Sequence, residues 1–207
     1  HTARFIWLVS LVYLVMGTTA LAIVSVYEGM PLVRSILHGM WIFMAAWDTG
    51  GFAPQSQNIL YYHSMPFEII TVSVMVMGAL NFKLHYAVWT GNRREILKNI
   101  ETVTLFITIV TTFSLCAVGL VRLGVYPEAV SLFRKAFYQL ISGHVGTGYS
   151  TIYARQFILE WGGLAMIAIT IAMALGGCAC STAGGIKALR IGIIFKALRQ
   201  DVKKILL

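Results

Sequence analysis

The sequence predicts an all-α membrane protein built from two tandem units, each with a long helix, a short re-entrant helix, a glycine-rich loop and a second long helix. The chain of 207 residues is 58% hydrophobic and only 12% charged, whereas soluble domains are about 45–50% apolar. Its apolar residues form stretches of roughly twenty, the length that crosses a bilayer core about 30 Å thick. The same series of landmarks occurs twice, and such a repeat defines the architecture.

The first unit is expected to cover residues 1–92. Its two long apolar stretches predict membrane crossings, and the shorter one between them suits a re-entrant half-helix with proline at its first position. In chain order the expected elements are an outer helix at 5–26, a pore-type short helix at 31–46, a loop at 48–53 and an inner helix at 67–90.

The second unit is expected to cover residues 93–207 and to repeat this order. Its last helix is interrupted by a glycine-rich segment, so we expect a break within it. The expected elements are an outer helix at 101–122, a short helix at 127–143, a loop at 145–151 and an inner helix at 159–200, broken at 176–185.

The spacing of the landmarks supports the duplication. Pro31 precedes Gly51 by about 20 residues, and Pro127 precedes Gly148 by about 21. An aromatic residue and then a small one follow each of these glycines. We therefore treat the two glycine-rich loops as equivalent features of the two units.

The formal net charge of +8 predicts the orientation of the helices. Basic residues gather in the connection 93–98 and beyond residue 186, as is typical of cytoplasmic flanks. Each outer helix then runs outward, and each short helix enters from the outer side. We expect a multi-pass protein of the plasma membrane and no nucleic-acid partner, because the basic residues lack stacking aromatics or a binding motif.

Glycine-rich backbone at membrane depth must be shielded by protein or line a wet cavity. Backbone carbonyls can replace the water around a cation, and glycine readily adopts the dihedral angles that turn successive carbonyls one way. The preceding half-helices would add partial negative charge at their C-termini. Ordinary turns between helices are the alternative. The candidate ion-binding residues are Thr49, Gly50, Gly51, Phe52, Gly146, Thr147, Gly148 and Tyr149.

The break in the last helix is a candidate gate. Four glycines within ten residues each cost about 1 kcal/mol relative to alanine in a helix. We expect this segment to form a movable loop across the pathway; a simple kink or turn is the alternative. The candidate gate residues are Gly176, Gly177, Cys178, Ala179, Cys180, Ser181, Thr182, Ala183, Gly184, Gly185 and Lys187.

Several motifs resemble those of the Trk/Ktr/HKT superfamily of potassium transporters. The sequences at 48–53 and 146–151 look like the filter signatures of that superfamily. The run at 176–187 resembles its glycine-rich break in the inner helix of the third unit, and 81–86 resembles the inner helix of the second. Cys180 and Ala183 stand where the superfamily commonly has glycine.

The resemblance implies a potassium-channel-like fold in which this chain supplies units two and three of four. It implies K⁺ as the transported ion, no organic cofactor, and no enzymatic activity. It also implies a homodimer on a cytoplasmic nucleotide-binding ring, in a bacterial or archaeal cytoplasmic membrane. The basic segment 196–204 is expected to contact this ring or membrane lipid.

Other interpretations stay open. One is a sodium-permeable transporter of the same superfamily. The resemblance implies that the residue associated with sodium selectivity lies in the first unit, outside this chain. A haem-binding oxidoreductase would use the five histidines, but no two of them share one helix face at the required spacing. A non-conducting assembly subunit would not need both loops. Since the chain begins without methionine or a signal peptide, we expect it to be an internal part of a longer protein.

Overall fold

A computed structural model describes residues 2–206 and confirms the all-α membrane fold. Within these residues a short 3-10 helix lies at Asn58–Tyr62, between the second and third α-helices. The α-helices are α1 (Thr2–Tyr27), α2 (Leu32–Trp47), α3 (Met65–Ala79), α4 (Phe82–Trp89), α5 (Glu95–Lys98), α6 (Ile100–Leu123), α7 (Ala129–His144), α8 (Ala154–Glu160), α9 (Gly162–Ala174) and α10 (Ala188–Leu206).

Two helices, α1 and α6, are long and apolar enough to cross a membrane by themselves. The number rises to four if the bent pairs α3–α4 and α8–α9 each count as one broken span. Large apolar side chains such as Trp7, Leu11 and Phe106 are exposed on the two long helices. Such surfaces suit contact with lipid.

The two units keep a constant offset along the chain. The short helices α2 and α7 both have 16 residues, and they begin 97 positions apart, at Leu32 and Ala129. The helices α3 and α9, which form the first parts of the two inner segments, begin at Met65 and Gly162, again 97 positions apart. In each unit the short helix packs against the outer helix. The two outer and two short helices begin and end within three residues of the expected bounds.

The prediction of one continuous inner helix at 67–90 was wrong. Helix α3 ends at Ala79, and α4 continues at an angle of 104° to it. Leu80 is extended, and the Asn81 side chain accepts a hydrogen bond from the Lys83 amide at 2.8 Å, which caps the start of α4. Such a cap stabilises a new helix start. Hydropathy does not register it, because the two helices together are apolar enough to read as one span in spite of Lys83 and His85.

The expected inner helix at 159–200 also differs from the structure. Residues around Glu160 belong to the separate helix α8, and Gly162 at φ +66° turns the chain by 120° into α9. The non-helical break spans residues 175–187, which is wider than the predicted 176–185. Helix α10 then packs against α6.

Contacts between α3 of the first unit and α7 of the second hold the units together. Arg134 donates two hydrogen bonds to the Glu68 carboxylate, at 2.5 and 2.8 Å. The hydroxyls of Thr71 and Tyr138 lie 2.9 Å apart in the same interface, and Tyr138 is buried. Bidentate pairs of this kind fix both distance and orientation.

This pairing predicts that Arg134→Met destabilises the protein. The substitution leaves the Glu68 carboxylate, whose side chain is 11% exposed, without its partner, while the Arg134 side chain is 34% exposed and partly screened by water. We expect a loss of about 1–3 kcal/mol, measured by thermal unfolding in detergent. The control Arg155→Met, at an exposed arginine, should change little. Adding Glu68→Gln should recover part of the loss, and no difference between Arg134→Met and the control would contradict the assignment.

Candidate functional site

The first glycine-rich loop folds back onto the C-terminal end of α2. The amides of Gly50 and Gly51 both donate to the carbonyl of Ala45, at 2.9 and 3.1 Å. The Asp48 carboxylate accepts a further bond from the Gly50 amide at 2.8 Å. Thr49 and Gly51 have positive φ angles, +55° and +69°. The loop is thus a defined, hydrogen-bonded conformation rather than an open turn.

The second loop has the same conformation on α7. The amides of Thr147 and Gly148 both donate to the carbonyl of Ser142, at 2.9 and 3.3 Å. Positive φ angles occur at Gly146 (+76°) and Gly148 (+86°), the positions that correspond to the first loop at the 97-residue offset. The second unit has glycine at both positions, whereas the first carries the steric cost of a threonine at one of them.

The two loops touch each other through their backbones. A Cβ atom on Gly51 would lie 1.8 Å from the carbonyl oxygen of Thr147, so only glycine permits this approach. A Cβ atom on Gly148 would meet no atom within 4 Å. Gly51 therefore forms the contact between the two units, whereas Gly148 faces open space.

The aromatic residues of the two loops have different surroundings. Tyr149 is 0% exposed, and its hydroxyl lies 3.0 Å from the carbonyl of Ile42 and 3.1 Å from that of Phe52. It therefore ties the second loop to the short helix and the loop of the first unit. Phe52, the equivalent residue of the first unit, is 78% exposed.

The segment that breaks the last helix is a closed loop. Leu175 and Ile186 form a parallel bridge, and the Gly176 amide donates to the Ile186 carbonyl at 2.9 Å. A Cβ atom on Gly176 would lie 1.8 Å from the Gly184 carbonyl oxygen, and one on Gly185 would lie 2.6 Å from the Gly176 Cα. Glycines at the two ends of the loop allow the incoming and outgoing chain segments to approach this closely.

This loop docks against the first unit, where α2 and α3 end. The Cys178 amide donates to the Ala79 carbonyl at 2.9 Å. The Thr182 hydroxyl lies 2.9 Å from the Trp47 carbonyl and 2.8 Å from the Gly78 carbonyl, and its one proton serves both. A Cβ atom on Gly78 would be 2.2 Å from the Trp47 oxygen, which shows how closely the two helix ends approach.

The loop also reaches the second glycine-rich loop. A Cβ atom on Gly146 would lie 3.7 Å from the Gly184 amide nitrogen. Lys187 donates a hydrogen bond to the Ala183 carbonyl, at the end of the segment nearest α10. The structure thus brings the candidate gate and both candidate ion-binding loops together at one place.

The other residues of the loop at 175–187 differ in their exposure to solvent and in their backbone strain. Cys178 is buried, whereas Cys180 is exposed and has a φ of +54°. This left-handed conformation favours glycine, so a cysteine at this position carries backbone strain. The Ser181 hydroxyl donates to the Cys178 carbonyl at 2.6 Å, and the Ala179 amide donates to the side chain of Glu101 at 3.2 Å.

The sequence interpretation did not identify Glu101. The residue is buried in the first turn of α6, next to an apolar stretch. An acidic residue at the edge of a membrane segment is by itself a signal of function. The two partners of its side chain, Asn81 and Ala179, lie 20 and 78 positions away along the chain, so no local pattern indicates what it binds.

Two of the histidines, His144 and His38, make hydrogen bonds within the protein. His144, the last residue of α7, contacts the Thr108 hydroxyl of α6 at 3.0 Å through Nε2. His38 contacts the Tyr62 hydroxyl at 2.8 Å through Nδ1. Within the described residues, no three His, Cys, Asp or Glu side chains are placed to hold a metal ion together.

Comparison with known proteins identifies the family. The family model TrkH, described as a cation transport protein, matches residues 95–205. The Trk system potassium uptake protein TrkH of Salmonella typhimurium is 25% identical over 206 residues, covering 99% of this chain and 40% of that protein. TrkG of Escherichia coli is 27% identical over 210 residues, with the same coverage.

A solved structure has the same fold. The crystal structure of the potassium transporter TrkH from Vibrio parahaemolyticus matches with a TM-score of 0.81 and 25% identity, over 99% of this chain and 42% of that one. The chain therefore spans about two fifths of the length of these relatives. Because the family model covers more than half of the chain, the chain belongs to the TrkH family of cation transport proteins.

Proposed function

We propose that the chain forms part of the ion pathway of a potassium uptake protein in the cytoplasmic membrane. The observation that carries this proposal is the pair of glycine-rich loops with one conformation, which meet through the backbones of Gly51 and Thr147. Relatives whose names describe potassium uptake, and which match nearly the whole chain, support K⁺ as the ion.

The proposed chemistry is the replacement of water around K⁺ by backbone carbonyl oxygens of residues 48–53 and 145–151. Alternating positive and negative φ angles allow neighbouring carbonyls to face one side. Both loops begin at the C-terminal end of a helix, where the helix dipole favours a cation. In this proposal K⁺ is the transported ion and not a resident cofactor, and the carbonyl groups bind it without an organic cofactor.

Two further units would complete the pathway. The exposed apolar side chains of Trp41, Met44 and Phe52 lie around the first loop. Beside the second loop, a cavity of about 250 Å³ is lined in part by Gly146 and Gly148. Both surfaces suit contact with additional units of a longer chain. A homodimer and a cytoplasmic nucleotide-binding partner remain part of the proposal.

The loop at residues 175–187 is proposed as the gate. It packs against both units directly beside the two proposed ion-binding loops. Its attachments are mainly hydrogen bonds, and the side chains that it buries, such as Cys178 and Ala183, are small. Each such bond contributes only about 0.5–1.5 kcal/mol, so displacement of the loop is energetically accessible.

We expect Gly148→Ser to impair K⁺ selectivity. A serine disfavours the φ of +86° and places its side chain in the open space beside the loop. The measurement is uptake of radioactive rubidium by liposomes holding the full-length protein, with sodium and lithium as competitors. Uptake should fall or become sensitive to sodium.

The wild-type result separates the candidate functions. Potassium-like competition supports a potassium pathway, whereas strong sodium competition would indicate a sodium-permeable transporter. Absence of alkali-cation flux under all regulatory conditions would favour a non-conducting subunit. Unchanged uptake in Gly148→Ser would remove this glycine from the pathway.

Gly51→Ala should disrupt the contact between the loops. The new methyl group would overlap the Thr147 carbonyl, so the loops must separate. Gly91→Ala is the matched control, because Gly91 has a φ of +93° but no atom within 4 Å of the Cβ position. We expect only Gly51→Ala to abolish rubidium uptake or monodisperse elution in size-exclusion chromatography. Equal behaviour of the two variants would mean that backbone strain alone, and not the contact, matters.

Thr182→Val should loosen the gate loop. Valine has nearly the same shape but lacks the hydroxyl that reaches the Trp47 and Gly78 carbonyls. We expect basal rubidium flux to rise by roughly three- to tenfold, as loss of about one hydrogen bond implies. Thr111→Val, on the exposed face of α6, is the control, because the Thr111 hydroxyl bonds only the Ile107 carbonyl of its own helix. Unchanged basal flux in a well-folded Thr182→Val protein would show that this hydroxyl does not hold the loop.

A further inference from the structure

A buried carboxylate joins the proposed gate to the break in the first inner helix. Glu101 is 4% exposed, and each of its two oxygens accepts a different hydrogen bond. Oε1 accepts from the Ala179 amide of the loop at 3.2 Å, and Oε2 accepts from the Asn81 side-chain amide at 3.0 Å. One side chain therefore connects α6, the α3–α4 break and the loop.

We propose that Glu101 is a positioning residue that holds the loop at 175–187 in its present place. The loop is fixed on two sides. Thr182 attaches one side to the ends of α2 and α3, and Ala179 attaches the other side to Glu101. Displacement of the loop must break the Glu101 contact, so this carboxylate stabilises the observed position against alternatives.

The donors around Glu101 explain why a carboxylate is required. Asn81 has a fixed orientation, because its Oδ1 accepts from the Lys83 amide while its Nδ2 donates to Glu101. The Ala179 amide is also a donor. Both oxygens of the acid thus face N–H groups, and bonds to a charged acceptor are stronger than neutral ones. A glutamine would direct an NH₂ group at one of these donors.

The arrangement also couples the two units. Asn81 caps α4, so any shift of the α3–α4 corner moves one of the two donors to Glu101. The Cys178 and Thr182 amides donate to the Ala79 and Gly78 carbonyls, at the same corner. The position of the loop therefore depends on a helix break about one hundred residues earlier in the chain.

Cys178 provides a direct measure of loop position. It is 0% exposed and precedes Ala179 in the loop. In the full-length protein, with its other cysteines replaced by alanine, a soluble methanethiosulfonate reagent reports how often the loop exposes this thiol. We expect Glu101→Gln to raise the modification rate about tenfold, as loss of one bond to a charged acceptor implies.

Matched variants separate positioning from general destabilisation. Asn81→Asp keeps the acceptor for the Lys83 amide but removes the donor to Glu101, so it should also raise the rate. Glu101→Asp keeps both acceptor oxygens and should give an intermediate rate. Glu95→Gln, at the start of α5, should behave like the wild type. Thermal unfolding in detergent should be similar in all variants that elute as a single species.

The inference rests on the proposed function only for its transport consequence. Under the proposal, Glu101→Gln also raises basal rubidium flux. If the wild type carries no flux, the proposed function fails, while the Cys178 rate still decides the role of Glu101. A Cys178 rate unchanged in both Glu101→Gln and Asn81→Asp would overturn the inference. If Glu101→Gln fails to elute as one species, the Asn81→Asp rate decides alone.

Discussion

The need to satisfy backbone hydrogen bonds away from water controls the central part of this protein. Three non-helical segments lie beside membrane helices, and the backbone amides of each donate hydrogen bonds to nearby carbonyl groups. The loops at 48–53 and 145–151 return to Ala45 and Ser142 of the preceding helices. The loop at 175–187 uses carbonyls at the ends of α2 and α3. Irregular backbone among membrane helices is stable only where protein surrounds it or where it lines a wet cavity.

Close backbone approach is the second requirement, and glycine meets it. Gly51 touches the second loop, Gly78 touches the end of α2, and Gly176 touches the far side of its own loop. At each position a methyl group would overlap a carbonyl oxygen. The glycines thus do more than supply flexibility. They allow the two loops and the segment at 175–187 to meet within a few ångströms, as the proposed ion pathway requires.

The two units use the same backbone but different side-chain anchors. The last residue of each short helix contacts the outer helix of its own unit: Trp47 donates to Ser10 at 3.2 Å, and His144 contacts Thr108. Tyr149 is buried between the units, whereas Phe52 is exposed. Backbone geometry is therefore repeated, while the side chains fit each unit to different neighbours.

Local composition alone determined the membrane class, the long and short helices and the positions of the glycine-rich loops, because length and hydropathy are local properties. It did not reveal the corner after Ala79, since α3 and α4 together are still apolar enough to read as one span and the Asn81 cap is a single polar residue. It also did not reveal the contacts of Gly51 with Thr147 or of Glu101 with Ala179. Those pairs are about one hundred and about eighty positions apart, and only the packing of two folded units brings them together.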